Sequence, residues 1–259
     1  MHLCANLSML FTERPLAERF AAAAAAGFDT VEIQFPPPEE TAALARAARG
    51  AGLPVTLINV PRGAGEEVGL AALPGREADF AAAVEVTLRQ AEALDVRKVN
   101  ILSGRSPPGA DPDRCREVLV ANLRHAADRF AEIGVRLMVE PVNRGDVPGF
   151  FLSGLEPGLD ILARADHPNL KLQFDFYHMQ ITEPDLPAAL RRAGGAIGHV
   201  QFADAPGRNE PGSAALDFAA AFAALRETGY DGAVSAEYRP AGRTEDGLGW
   251  MPRIREMIA

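Results

Sequence analysis

The chain has 259 residues, of which 47% are hydrophobic and 24% charged, and its formal net charge at pH 7 is −9. This composition is ample for a large core, and the negative charge argues against a nucleic-acid partner, which needs a basic face opposite the phosphates. No apolar stretch reaches membrane-spanning length and no signal peptide is visible, so we expect a cytoplasmic protein with no membrane partner.

The strand predictions are short apolar runs, many of them rich in β-branched residues, at positions 3–7, 30–35, 55–59, 98–102, 136–140, 170–175, 197–202 and 233–237. Longer runs rich in Ala, Leu, Arg and Glu lie between them and predict helices at 16–26, 39–51, 77–94, 114–133, 155–165, 185–192, 216–228 and 245–257. Gly27, Gly52, Gly134 and Gly229 each follow a predicted helix, where a residue of positive φ is common.

Strands that alternate with helices indicate parallel βαβ units. Eight units fit a closed (β/α)8 TIM barrel, one domain over residues 1–259, better than an open doubly wound sheet. No Gly-rich dinucleotide loop follows the first strand. Long loops at 61–76, 104–112 and 141–154 each follow a strand, so we expect them at the C-terminal mouth, where barrel enzymes build active sites.

The two cysteines, Cys4 and Cys115, are far apart in the sequence. We expect both to be buried or half-buried free thiols rather than partners in a disulfide or ligands in a zinc site.

Polar residues recur at the ends of the last four predicted strands, namely Glu140, Asp175, Gln201 and Glu237. Neighbouring strands lie about 4.8 Å apart, so four successive strand ends can direct their oxygens at one point. One such carboxylate alone would more often cap a helix or pair with an arginine. Three converging carboxylates repel one another unless a cation compensates them, which favours a shared metal site.

The four predicted ligands all present oxygen, which suits a hard divalent ion, Mg²⁺ or Mn²⁺, better than zinc. Three carboxylates with one divalent ion leave the site about one charge negative, so a carboxylate can accept a proton as well as bind metal. Glu140 and Glu237 come from the two ends of this set and could flank a metal-bound substrate. The metal would polarise a carbonyl and stabilise an enediolate.

Several stretches resemble the hydroxypyruvate isomerase family of the xylose-isomerase-like TIM barrels, and the resemblance runs through the whole chain in order. They are residues 5–11 (ANLSMLF), 74–76 (PGR), 140–143 (EPVN), 146–150 (DVPGF), 173–180 (QFDFYHMQ), 198–204 (GHVQFAD) and 210–212 (EPG). The resemblance implies the same barrel, with Glu140 and Glu237 as proton donor and acceptor. It also implies Glu140, Asp175, Gln201 and Glu237 as the ligands of the divalent metal.

The resemblance also implies substrate-binding residues. His178, three residues after Asp175, matches a histidine that contacts substrate in related sugar isomerases and epimerases, and Arg208 and Asp146 match an arginine and an acidic residue that do so. The offset of Arg208 differs slightly from the family pattern, and Asp146 has the shorter acidic side chain.

Other polar residues leave alternatives open. Asn59 and Asn6 end predicted strands and could line the pocket or form structural hydrogen bonds, and His199 could serve the barrel core or the substrate. Arg62 could meet a substrate carboxylate, although a solvated surface arginine is the commoner case. Trp250 could pack on the barrel or contact another subunit, and a homo-oligomer remains open.

The resulting expectation is a reversible isomerisation of hydroxypyruvate to tartronate semialdehyde, with a small anionic hydroxy-carbonyl acid as the partner of the site. A four-carbon acid, 2-oxo-tetronate, is the nearest alternative. A phosphodiesterase of the abasic-site endonuclease type would need several metals with histidine ligands and a DNA-binding face, against which five histidines and a charge of −9 count. A sugar sensor without catalysis is the third class.

Overall fold

Eight parallel strands form a closed barrel in sequence order, with β1 paired to both β2 and β8. The computed structural model describes residues 1–259. The strands are β1 (His2–Asn6), β2 (Thr30–Ile33), β3 (Val55–Asn59), β4 (Lys98–Ile101), β5 (Arg136–Val139), β6 (Leu170–Asp175), β7 (Ile197–Phe202) and β8 (Ala233–Ala236). The predicted barrel is therefore confirmed, with every strand within two residues of its predicted bounds.

Nine α-helices surround the barrel, one more than predicted. They are α1 (Leu16–Ala25), α2 (Thr41–Ala51), α3 (Glu77–Leu94), α4 (Pro112–Ala131), α5 (Leu155–Ala165), α6 (Phe176–Thr182), α7 (Leu186–Ala193), α8 (Phe218–Glu227) and α9 (Met251–Ile258). Short 3₁₀ helices lie at Pro38–Glu40, Gly194–Ala196 and Thr244–Trp250. None of the helices is long and apolar enough to cross a membrane.

The differences from prediction have local causes. Helix α6 is only seven residues long and starts directly after β6, because the Asp175 side chain caps it by accepting a hydrogen bond from the Tyr177 backbone N–H. The last predicted helix is divided into a 3₁₀ turn and α9, with Pro252 in the first turn of α9, where a missing N–H costs nothing. Strand β5 stops at Val139, and Pro141 has no N–H with which to extend the ladder.

The apolar core fills the space between the barrel and its helices. Trp250 belongs to it: its ring centroid lies 5.8 Å from that of Phe202 and 5.9 Å from that of Tyr238, and its Nε1–H donates to the Tyr238 hydroxyl at 3.2 Å. The tryptophan is thus packed on the barrel. Cys4 and Cys115 are free and buried, as predicted.

The three predicted long loops are tied together at the C-terminal mouth. Gly69, after β3, forms a bridge with Ser103, after β4, and Arg105 forms one with Phe150, after β5. The backbones approach so closely that a Cβ atom on Gly69 would lie 2.4 Å from the Leu102 carbonyl oxygen, and one on Gly104 2.2 Å from that of Gly69. Only glycine fits at both positions, and this rim forms one side of the site described next.

Candidate active site at the C-terminal mouth

The four predicted metal ligands lie at or near the C-terminal ends of the neighbouring strands β5 to β8. Glu140 follows β5 directly, Asp175 is the last residue of β6, and Glu237 follows β8. Gln201 lies inside β7, where it pairs in register with Asp175 on one side and Ser235 on the other. All four side chains are buried.

A cavity of about 250 Å³ opens at this mouth. Six of the predicted site residues line it: Asn59, Glu140, Asp146, His178, Arg208 and Glu237. Its other lining residues are Gln34, Phe35, Arg62, Val68, Leu102, Val142, Val147, Phe150 and Arg239. Asp175 and Gln201 do not line the cavity. A space of this size is below the usual range for drug-sized ligands, about 300–1,000 Å³, and suits a small metabolite.

Glu140 is a buried carboxylate whose hydrogen bonds are incomplete. Its Oε2 accepts from Asn100 Nδ2 and from Gln173 Nε2, both at 2.8 Å, whereas Oε1 accepts no hydrogen bond. Burial, followed by the charge of Asp175, raises the pKa of Glu140 to about 8. The side chain can therefore hold or release a proton near neutral pH.

Arg208 joins the other two carboxylates. One of its terminal nitrogens donates to Glu237 Oε2 at 2.7 Å and to Asp175 Oδ2 at 3.1 Å, and the guanidinium lies over the Tyr177 ring. Gln34 Nε2 donates to the other oxygen of Glu237. Burial nevertheless raises the pKa of Asp175, and it raises the pKa of Glu237 well above its ordinary value, although Arg208 acts in the opposite direction on both. Burial lowers the pKa of Arg208, but Glu237 and Asp175 outweigh it, so the guanidinium stays charged.

His178 is a neutral donor beside these carboxylates. Its Nδ1 lies 2.7 Å from Asn143 Nδ2, and because that amide can only donate, the ring proton is assigned to Nε2. Nε2 is 3.6 Å from Asp175 Oδ2 and 3.8 Å from Glu140 Oε1. Burial, followed by the charge of Arg208, lowers the pKa of His178 well below its ordinary value. This tautomer suits donation to a substrate oxygen better than metal ligation.

Gln201 belongs to a polar network beneath the cavity. Its Oε1 accepts from Gln173 Nε2 at 2.7 Å, and its Nε2 donates to Glu32 Oε1 at 2.6 Å. His199, two residues earlier on the same face, directs Nε2 at Glu32 Oε2 at 2.7 Å. The structure therefore places His199 in the barrel core, away from the cavity.

Two of the predicted ligands lie as a divalent metal ion requires: one oxygen of Glu140 and one of Asp175 are within 4.8 Å of each other. The same cluster contains a ring nitrogen of His178, whose Nε2–H suits a substrate oxygen, and it does not contain Glu237. Only one buried cation, Arg208, touches these carboxylates, and it contacts Asp175 and Glu237 but does not hydrogen bond to Glu140. The side-chain oxygens of Asn59, Asn100 and Gln173 are buried without a hydrogen-bond partner. Excess negative charge and unpaired oxygens are what a hard cation compensates.

The predicted substrate contacts line the cavity above this donor set. Asn59 is only 4% exposed and its Oδ1 is unpartnered, so the cavity offers an acceptor for a ligand hydroxyl. Asp146 is exposed at the rim and lies near Tyr177, whose pKa is raised to about 12 by burial and then by Asp146. Asn6, in contrast, does not line the cavity: it donates to Glu32 and accepts from the Ser8 N–H.

The sequence reasoning missed several residues of this region: Glu32, Gln34, Asn100, Asn143, Gln173 and Arg239. A period of two residues could have found some of them. Gln173 precedes Asp175 by two positions in β6, and Glu32 precedes Gln34 by two at the end of β2, so each pair shares a face. Asn143 belongs to the 140–143 stretch that carries the family resemblance, whereas nothing in the local pattern marks Arg239, which lies in a loop.

Comparison with known proteins agrees with this fold. A family model described as xylose isomerase-like TIM barrel matches residues 20–254. The chain is 42% identical to a 2-oxo-tetronate isomerase of Cupriavidus necator, over 95% of this chain and 96% of that protein. It is 38% identical to a hydroxypyruvate isomerase of Escherichia coli, over 98% of this chain and 100% of that one.

Solved structures extend the comparison. A protein from Brucella melitensis described as an AP endonuclease, family 2, has a TM-score of 0.94 and 39% identity, with 98% of this chain and 99% of that chain covered. A D-allulose 3-epimerase from a Methylomonas species, at 23% identity and a TM-score of 0.79 over 98% of this chain and 90% of that chain, shows the shared fold alone.

Fold and site together define a TIM-barrel enzyme with a carboxylate-rich centre at its mouth. The chain belongs to the xylose isomerase-like TIM barrel family, and within it to the group that contains the hydroxypyruvate and 2-oxo-tetronate isomerases. It is an enzyme of the isomerase class.

Proposed function

We propose that this enzyme interconverts hydroxypyruvate and tartronate semialdehyde. The observation that carries the proposal is the pair Glu140 and Glu237, two buried glutamates with raised pKa values that line the same cavity of about 250 Å³. Aldose–ketose isomerisation moves a proton between adjacent carbons, so it needs groups that take and return protons near neutral pH.

In the proposed reaction, one glutamate removes a proton from C3 of hydroxypyruvate, and a proton is returned to C2 of the resulting cis-enediolate. The C3 hydroxyl proton passes to the C2 oxygen, so that C3 becomes the aldehyde and C2 the alcohol, with no net gain or loss of atoms. His178 Nε2–H, Arg208, Asn59 and Asp146 would orient the substrate oxygens from the cavity wall.

A divalent metal, Mg²⁺ or Mn²⁺, held by Glu140, Asp175, Gln201 and Glu237, would polarise the substrate carbonyl and stabilise the developing negative charge. Arg208 holds Asp175 and Glu237 close together. Gln173 bonds to both Glu140 and Gln201, which fixes the spacing of two proposed ligands.

The test is an assay of the purified, chelator-treated protein with hydroxypyruvate, with and without added Mg²⁺ or Mn²⁺. We expect metal-dependent turnover in the wild type and in Glu256→Gln, an exposed control, and its loss in Glu237→Gln. Full activity of Glu237→Gln would refute the two-glutamate mechanism.

Isomerisation of the four-carbon acid 2-oxo-tetronate is a second candidate, favoured by the 42% identity to a relative of that name. The same two glutamates would serve, so only the ratio of kcat/KM for the two acids separates the candidates. An abasic-site nuclease is disfavoured, because the carboxylate cluster contains one histidine, His178, while His199 is bonded to Glu32 in the core. If the protein cleaved abasic DNA and showed no isomerase activity, the nuclease function would be favoured over the isomerase functions.

A further inference from the structure

Two arginines at the mouth take no part in the chemistry proposed above. Arg62, in the loop after β3, and Arg239, in the loop after β8, line the same cavity as Glu140 and Glu237. Their guanidinium groups donate no hydrogen bond to the protein. Arg208, the third arginine of the cavity, is by contrast bonded to two carboxylates.

Each of these arginines is held by parts other than its charged nitrogens. The Arg62 guanidinium carbon lies 5.7 Å from the centroid of the Phe35 ring, which also lines the cavity. The Arg239 backbone N–H donates to the Arg208 carbonyl at 2.7 Å, and its carbonyl accepts from Asn209 Nδ2 at 2.9 Å. The Arg62 guanidinium is thus placed by Phe35, and the Arg239 side chain starts from a fixed backbone; both side chains are exposed and their N–H donors are free.

The charge balance of the site favours an anionic ligand. Four carboxylates (Glu140, Asp146, Asp175 and Glu237) and three guanidinium groups surround the cavity and its floor. If all seven groups are ionised, their net charge is −1, and a bound divalent ion would change the net charge to +1. A singly charged anion neutralises that charge.

We propose that Arg62 and Arg239 bind the carboxylate of the substrate and so select an acid over a neutral sugar of the same length. Guanidinium groups match a carboxylate with paired N–H donors, and a hydroxymethyl group in the same place would leave those donors unmatched. The assignment deepens the proposed isomerase function and rests on it for the rest of the substrate.

The test is calorimetric binding of D-glycerate, an unreactive three-carbon acid, and of its neutral analogue glyceramide to the Mg²⁺-loaded protein. We expect Arg62→Gln and Arg239→Gln each to raise the Kd of glycerate roughly ten- to a hundredfold, the loss of one charged hydrogen-bonding partner. We expect the Kd of glyceramide to change less than about twofold, because the neutral amide lacks the charge that the arginines bind. Arg62→Lys should recover part of the affinity.

Arg243→Gln is the matched control, since Arg243 follows β8 in the same loop, lies outside the cavity and pairs with Glu245. An unchanged Kd for glycerate in the double variant Arg62→Gln/Arg239→Gln would overturn the inference. An equal loss of affinity for glyceramide in these variants, or for glycerate in Arg243→Gln, would also overturn it. Arginine-dependent glycerate binding by a protein without isomerase activity would refute only the proposed function. Isomerase activity with unchanged binding in the variants would refute only this inference.

Discussion

Glu32 and Glu140 are two buried glutamates of one barrel, and they behave in opposite ways. Glu32 has both oxygens satisfied, by Asn6 and Gln201 on Oε1 and by His199 on Oε2. Burial acts to raise its pKa, but His199 and the other donors outweigh burial, and the net shift is downward. For Glu140, which has one oxygen without a hydrogen bond, burial prevails and the pKa rises to about 8.

Complete hydrogen bonding, more than burial, decides what a buried carboxylate can do. A fully satisfied carboxylate such as Glu32 stays ionised and orients its neighbours, here Gln201. An incompletely satisfied one such as Glu140 can change protonation or accept a cation. Glu32, beneath the cavity, is thus structural, and Glu140, which lines the cavity, is reactive.

The largest expected effect comes from Glu140→Gln. Because the variant loses a proton-transfer group, we expect kcat to fall about 10²- to 10⁴-fold. The neutral amide has no ionisation to suppress, and its oxygen can still accept from Asn100 and Gln173, so the free energy of unfolding of the metal-free protein should stay equal or rise. Activity assays and urea unfolding of the same preparation measure both. If the variant is substantially unfolded, Glu140 has a structural role, as Glu32 does.

Glu32→Gln should show the reverse pattern. An amide cannot accept from all three donors, and one unsatisfied buried donor costs about 1–3 kcal/mol, so we expect stability to fall by up to about 3 kcal/mol. Urea unfolding compares the variant with Glu256→Gln, an exposed control. An unchanged midpoint would contradict the structural role of Glu32.

Metal binding by the proposed ligands should stabilise the folded protein. At a free metal concentration one hundred times its Kd, a single site adds about 2.7 kcal/mol to the stability of the folded state. Thermal melting with increasing Mn²⁺ should therefore shift upward in the wild type and in the exposed control Asp246→Asn, but much less in Asp175→Asn. Equal shifts in all three proteins would mean that the ion binds elsewhere.

The smallest expected effect is the pH dependence of stability without metal. A glutamate whose pKa is raised to about 8 on folding keeps its proton in the folded state while the unfolded chain has lost it. Stability should therefore fall as pH rises from 6.5 to 8, by at most about 1.4 kcal/mol per pH unit for one group. The lowered pKa values of the buried His178 and His199 act in the opposite direction near the lower end of this window, where unfolded histidines lose their protons.

The matched protein for this titration is Glu140→Gln, in which the decline between pH 6.5 and 8 should be smaller. Urea midpoints measured in chelator at several pH values compare the two proteins. Equal slopes would show that Glu140 does not carry the raised pKa.

Most of the fold could be predicted, because a parallel barrel repeats one simple pattern of buried strand, helix and glycine. The site was predicted in part for the same reason: strand ends meet at one mouth, so Glu140, Asp175 and Glu237 could be grouped from their spacing. Resemblance to a family supplied His178, Arg208 and Asp146, which lie outside the strands, and all three line the cavity.

The rest depends on packing that no local pattern encodes. Arg239 reaches the cavity because its backbone bonds to the loop after β7, and Arg62 because it lies over Phe35. Gln201 lies beneath the cavity, where it donates a hydrogen bond to Glu32. Whether a side chain lines the cavity or lies beneath it depends on how far it projects from its strand. Sequence spacing gives the strand that a residue occupies but not its depth in the barrel.

The most direct measurement is NMR of hydroxypyruvate incubated in D₂O with the Mg²⁺-loaded protein. We expect tartronate semialdehyde that carries deuterium at C2, formed by the wild type and by Glu256→Gln, and almost none formed by Glu140→Gln or Glu237→Gln. Product formation at the wild-type rate in either glutamate variant would show that these two buried carboxylates do not both transfer the proton.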